Sequence, residues 1–168
     1  MRQSGLAFAD LDRLAVTTGP GTFTGQRVGL AFLRGLRVAL NKPLLGVTTL
    51  AAMAAQAMAE TGLATAAALH DAKRDEVYLE IVGTHTREAV VLSFEDAIAE
   101  LATLSGPFAL AGTAAPAATA RLPNATLSDV RQPDALWVAR LALKMPPTAE
   151  PPKPLYLRAP DAKLPPQP

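Results

Sequence analysis

The chain has 168 residues, 49% of them hydrophobic, which is enough for one domain with a small appended lobe. Its formal net charge of +1 excludes a strongly basic nucleic-acid surface as the main design and leaves room only for a local patch. Without cysteine it forms neither a disulfide nor a thiolate metal site, and no apolar run reaches membrane-spanning length.

Met1 to Asp12 is a poor start for a domain, Leu6 to Arg13 reads as the end of a helix or a loop, and the N-terminus lacks a signal-peptide pattern, so a soluble cytoplasmic protein is expected. Leu14 to Thr18 is a short buried strand. It runs into the turn Gly19-Pro20-Gly21-Thr22-Phe23-Thr24-Gly25, where glycine allows positive φ and proline fixes its own φ. A helix from about Gly25 to Asn41 follows, with Thr22 or Thr24 placed to cap its free N–H groups. A glycine-rich helix start can hold an anion, but no Gly-Lys-Ser/Thr follows, so this is not a Walker A loop. The turn is therefore either a structural corner or an anion site.

The helix carries Val28, Leu30, Ala31, Phe32, Leu33, Leu36, Val38, Ala39 and Leu40, more apolar side chains than one stripe needs. Two readings stand. It is a core helix whose arginines, Arg27, Arg34 and Arg37, snorkel to solvent, or its second apolar side docks a partner. Lys42-Pro43 ends it and Leu44 to Val47 is a second strand, completing the strand–helix–strand unit of a parallel sheet.

Thr48 or Thr49 caps a second helix, Leu50 to Glu60, closed by Gly62, with Met53 and Met58 as core filler. Ala64 to His70 and Glu76 to Val82 form a hairpin across the charged connection Asp71 to Asp75, which is a solvated turn or a polar contact site. Glu88 to Leu92 is a third strand, Ser93 caps a helix to about Thr103, and Phe108 to Ala111 is a further buried strand. A helix over Ala114 to Arg121 and another from Pro133-Asp134 to Met145 complete the body, the latter with Trp137 and Leu141 on its apolar face. From Pro146 many of the fifteen prolines form an extended tail, which Leu155-Tyr156-Leu157 can pin to the body.

Catalytic patterns are mostly absent. Two isolated histidines predict no metal site, Ser93 and Ser105 have no evident histidine partner, and there is no Gly-x-Ser-x-Gly elbow.

Three blocks carry a resemblance. Gly19-Pro20-Gly21-Thr22-Phe23-Thr24-Gly25-Gln26-Arg27-Val28-Gly29, followed by Pro43-Leu44-Leu45-Gly46-Val47-Thr48-Thr49-Leu50, resembles the signature of the bacterial TsaB (YeaZ-type) family. Asp71-Ala72-Lys73-Arg74-Asp75-Glu76-Val77-Tyr78 is similar to that family's second block, and Leu155 to Ala162 to its third, in the same order.

The resemblance implies an α/β fold, the two-lobed actin-like/ribonuclease H-like fold of the sugar kinase/heat-shock ATPase superfamily. Family members carry about fifty more residues in front, a strand hairpin and a helix, so the first lobe is expected to be incomplete at its N-terminus and its first strand to expose an edge. The expected division is a remnant of the first lobe over 1–62, a second α/β lobe over 63–145 and a Pro-rich tail over 146–168.

The implied role is a non-catalytic subunit in forming N6-threonylcarbamoyladenosine beside the anticodon of tRNAs that read codons beginning with A. The implied partners are a TsaD-type catalytic paralogue and a TsaE-type ATPase, with tRNA met through the complex, no membrane, and a homodimer when the chain is alone. No intrinsic cofactor is expected; ATP and metal belong to the partner subunits. The metal-binding His-x-x-x-His of TsaD aligns here with Thr49 and Met53. The docking surface is expected on the first helix, at Arg27, Val28, Leu30, Ala31, Leu33, Arg34, Leu36 and Arg37. Gly19, Pro20, Gly21, Thr22, Thr24 and Gly25 form the structural turn or anion site. The alternatives are a glycoprotease-like metallopeptidase and an independent nucleotide-binding module that uses this turn.

Overall fold

A computed structural model describes residues 4–158. Ala159 to Ala162, the end of the third block, lie outside the described residues. After a single 3-10 turn at Phe8–Asp10, the elements are β1 (Leu14–Gly19), α1 (Phe23–Leu40), β2 (Leu44–Thr48), α2 (Thr49–Thr61), β3 (Thr65–Lys73), β4 (Glu76–Gly83) and β5 (Arg87–Ser93). Then come α3 (Phe94–Ala102), β6 (Phe108–Ala111), α4 (Ala115–Thr119), β7 (Ala125–Leu127) and α5 (Ala135–Lys144).

β1 and β2 pair in parallel across α1, as the strand–helix–strand pattern requires. The remaining strands form one mixed sheet in the order β5-β4-β3-β6-β7, antiparallel between β3, β4 and β5 and parallel from β3 to β6 to β7. Alternation decides its two faces. On one side Ala66, Ala68, Ala109 and Ala111 meet Leu50, Met53, Ala54 and Ala57 of α2. Small side chains on both partners let the helix lie close. On the other side the larger Leu69, Leu79, Phe108 and Leu110 meet Ile98 and Leu101 of α3 and Ala115 and Ala118 of α4.

The small sheet is also covered twice. Leu14, Val16 and Leu44 bury Leu30 of α1, while Leu45 and Val47 face Ala52 of α2 and Val138 and Ala142 of α5. The two sheets follow one another in sequence, β1 and β2 before β3 to β7, but the helices cross over. α2 spends its apolar face on the second sheet, and α5 returns to cover the first. Arg13 fixes that return by donating to the carbonyls of Ala142, Leu143 and Met145 at the end of α5.

Three local differences from the sequence reading have simple causes. β3 runs on to Lys73 and pairs it with Glu76, so the hairpin loop is only Arg74-Asp75, both at φ 58°, the left-handed conformation of a tight two-residue turn. The helix expected over Ala114 to Arg121 shortens to Ala115–Thr119. β7 was not anticipated; it is a three-residue, largely exposed edge strand, too short to show a period. Among the described residues β1 has a strand only on its β2 side. Its other edge faces an apolar trough of about 580 Å³ between Leu33 of α1 and Val138 and Ala142 of α5.

Candidate docking surface on the first helix

The Gly-Pro-Gly turn launches α1 by local means. Thr22 is the N-cap, its Oγ1 accepting from Gly25 N at 3.2 Å. Gln26 folds back and donates from Nε2 to Gly21 O at 3.1 Å, filling the inside of the turn. Gly19 sits at φ 114°, a backbone conformation that demands glycine, and the Gln26 side-chain amide occupies the space beside it, where a Cβ would meet Nε2 at 2.4 Å. Thr24 is exposed in the first turn of the helix. The turn opens on a cleft of about 390 Å³ whose other wall holds His70, Tyr78 and Thr113. His70 has a buried Nδ1 without a hydrogen-bond partner, and burial holds its imidazole below the ordinary value. Lys73, the lysine on this cleft, is paired with Asp71 Oδ2 at 2.7 Å.

The expected docking residues separate into three groups. Leu30 is 3% exposed and is spent on the chain's own core, and Leu33 and Leu36 lean on the same cluster. Leu30 is thereby withheld from a partner, while Leu33 and Leu36 keep part of their surface and Leu33 lines the open trough beside β1. The arginines are spent as well, on the tail. Arg34 Nη2 donates to Pro152 O at 2.6 Å, Arg37 Nη2 to Ala149 O at 2.8 Å, and Arg27 Nε to the Tyr156 hydroxyl at 3.1 Å. Arg27 also lies over the Phe23 ring at 3.4 Å, and Phe23 stacks on Tyr156. Arg34 and Arg37 are half-buried beside the tail, while Arg27 stays exposed.

Val28 and Ala31 remain free. With Phe32, Gly35, Val38 and Ala39, three to four residues apart, they form one continuous outer stripe. Val28 is 64%, Phe32 63% and Val38 77% exposed. Bulky apolar side chains separated by glycine and alanine form a knobbed surface on which another helix can settle closely. Phe32 and Val38 were visible in the sequence as apolar residues, but their side of the helix was not.

The tail is a strap. Leu155 N donates to Thr18 O at 2.8 Å, and Pro152 packs on Gly46, where a Cβ would approach Pro152 Cβ to 2.5 Å. Arg158 then reaches the hairpin, donating to Ala72 O at 3.0 Å and pairing with Glu76. The charged hairpin is thus a contact site for the tail and not simply a solvated turn.

No group of three or more His, Asp or Glu side chains comes together to hold a metal among the described residues. Met53 is fully buried in the core beneath α2. Ser105 does have a histidine neighbour, His85 Nε2 at 3.3 Å, contrary to the sequence reading. The pair is exposed, and no carboxylate hydrogen-bonds His85 among the described residues, so the orienting acid of a triad is lacking. No helix among the described residues is long and apolar enough to cross a membrane.

The model of the family described as TsaD, tRNA N6-adenosine threonylcarbamoyltransferase, matches residues 1–137. The tRNA threonylcarbamoyladenosine biosynthesis protein TsaB of Escherichia coli (strain K12) is 40% identical over 75 residues, covering 45% of this chain and 32% of that protein. The matched stretch therefore spans about a third of that relative's length. An uncharacterized protein of Mycobacterium tuberculosis (strain ATCC 25618 / H37Rv) is 34% identical over 171 residues, covering 97% of this chain and 72% of the relative. Among solved structures, a Pseudomonas aeruginosa protein described as similar to the peptidase YEAZ superposes with a TM-score of 0.75 at 28% identity, over 94% of this chain and 78% of that one. YeaZ from Pseudomonas aeruginosa gives a TM-score of 0.68 at 29% identity, over 84% and 69%. With the family model matched over residues 1–137, and TsaB proteins and YeaZ structures among the relatives, the chain belongs to the TsaD threonylcarbamoyltransferase family and is a TsaB/YeaZ-type member of it.

Proposed function

We propose that this protein is a non-catalytic subunit in the formation of N6-threonylcarbamoyladenosine in tRNA, and that it works by docking a TsaD-type catalytic paralogue. The observation that carries this reading is the outer stripe of α1, where Val28, Phe32 and Val38 stand bare along a helix otherwise fully engaged with its own sheet and tail. A surface of that kind, on a family member whose described residues assemble no group of metal-ligating side chains, suits holding a partner better than performing the reaction. On this reading the threonylcarbamoyl chemistry, the metal and the ATP belong to the partner subunits. A TsaE-type ATPase joins the assembly, tRNA is met through the complex, and the complex works in the cytoplasm. When the partner is missing, the same stripe pairs with a second copy of the chain.

The Gly19–Gly25 turn serves this role as the rigid corner from which α1 is launched. The uses Thr22 and Gln26 make of its polar groups support that reading over an anion site. The metallopeptidase and nucleotide-binding alternatives are not favoured, because the named relatives belong to threonylcarbamoyladenosine synthesis.

The test is co-purification of the chain with the TsaD-type protein of the same cell. Val28→Glu and Phe32→Glu together place two charges in the stripe and are expected to abolish the complex. Pull-down yields equal to those of the unaltered chain would reject α1 as the docking element.

A further inference from the structure

A second apolar surface lies in the groove between α2 and α5. It measures about 690 Å³. One wall is the small-residue side of α2, where Ala55, Ala59 and Gly62 recur at helical spacing. The other is α5, which presents Trp137 and Leu141. The charged residues on this groove are all basic: Arg140 and Lys144, one turn apart on α5. The Arg140 guanidinium lies over Trp137, 4.6 Å from the ring centre, and neither cation has a carboxylate partner among the described residues.

We propose that this groove docks an amphipathic helix of another protein, with its apolar side on α2 and Trp137 and a row of carboxylates along Arg140 and Lys144. The walls are helices, so the occupant meets side chains and no open strand edge. Alanine and glycine on α2 let a third helix approach closely, ridge into groove, and the tryptophan offers the large amphipathic anchor that binding hot spots favour. The unpaired cations select the partner's charge and steer its approach.

Among its described residues a second copy of this chain does not supply such a helix: α2 has the single acidic residue Glu60 and keeps Leu50, Met53, Ala54 and Ala57 in its own core. α1 and α5 contain no acidic residue, and the acidic α3, with Glu95, Asp96 and Glu100, keeps its apolar side, Ala97, Ile98 and Leu101, in its own core. The site is separate from the α1 stripe, and the inference does not depend on the function proposed above.

Trp137 is the only tryptophan in the chain, so its emission reports the groove directly. The full chain is titrated with a synthetic helical peptide of about 18 residues that carries leucines on one side and glutamates along the flank, and with a second peptide whose glutamates are replaced by lysines. The glutamate peptide is expected to give a saturable blue shift, and the lysine peptide to bind at least about tenfold more weakly, a gap that closes as salt is added. Ala59→Glu, at an exposed position, is expected to abolish the shift with helical circular dichroism unchanged, and Arg140→Glu with Lys144→Glu to reverse the preference between peptides. No saturable shift, equal binding of the two peptides, or an unaltered preference in the charge-reversed chain would overturn the proposal. So would a shift on dilution without peptide, which would mean that a second copy covers the groove.

Discussion

Thr48 Oγ1 lies 2.5 Å from Glu80 Oε2, and the same hydroxyl accepts from Ala51 N at 2.9 Å. One threonine therefore caps α2 and holds a carboxylate of β4 beneath the start of that helix. Burial raises the Glu80 carboxyl above its ordinary value of 4.5; the hydrogen bonds from Thr48 and Ala51 oppose this, and the charge of Glu88 adds to it.

The pH consequence follows from where the proton binds more tightly. The folded state holds the Glu80 proton better than the unfolded chain does. This contribution to stability is therefore complete below pH 4.5 and is lost as pH rises through the raised folded value. Glu80→Gln keeps the shape and the acceptor for Thr48 while removing the titration. Urea denaturation at about pH 4 and about pH 7.5 is expected to show the variant gaining on the unaltered chain at the higher pH only. An equal difference at both would show that Glu80 does not titrate in that window.

Leu30 and Phe32 are two residues apart and on opposite sides of α1. Leu30→Ala is expected to cost about 2–5 kcal/mol, because it empties a site enclosed by Leu14, Val16 and Leu44. Phe32→Ala, at an exposed position, is expected to change stability by no more than about 0.5 kcal/mol. Denaturant midpoints measured side by side, at a concentration low enough to keep the chain monomeric, decide this, and comparable losses would mean that the chain's own fold covers the outer stripe.

Gly46 is the point where the tail lies flat on β2. A methyl there would meet Pro152 Cβ at 2.5 Å and Thr18 Cγ2 at 2.6 Å. Gly46→Ala is expected to lift the strap at a cost of about 1–3 kcal/mol. Limited proteolysis should then cut between Met145 and Arg158 well before the body is digested. Arg34→Ala, which removes the donor to Pro152 O, should reproduce that cleavage. A tail as resistant as before in both variants would show that these contacts do not hold it.

The open edge of β1 gives a fourth prediction. Leu14 N donates to Pro43 O, so in a parallel pair the amides of Leu14 and Val16 face β2 while those of Ala15 and Thr17 face the trough. Unpaired amides beside apolar walls invite another strand. The average mass in light scattering is expected to rise with concentration, and Thr17→Lys, which sets a charge on that edge, to suppress the rise. A mass independent of concentration would show that the edge is protected.

What could be read from the chain was what neighbours in sequence settle. The sequence narrows the first two caps to Thr22 or Thr24 and Thr48 or Thr49, names Ser93 and starts the last helix at Pro133-Asp134; Thr22, Thr48, Ser93 and Asp134 cap because a side-chain oxygen meets an N–H two or three residues on, and Gly62 closes α2 in the left-handed conformation for equally local reasons. The order of strands and helices and the three family blocks belong to the same level. The side of α1 that is buried does not, because its apolar residues surround most of the helix and only the strands beneath choose among them. The fate of the arginines was equally hidden: Arg34 and Pro152 are 118 residues apart, and only the folded path brings a cation to that carbonyl. The Ser105–His85 contact and the groove at Trp137 are products of the same long-range packing, since periodicity tells which residues seek cover and the arrangement of sheets decides which of them find it.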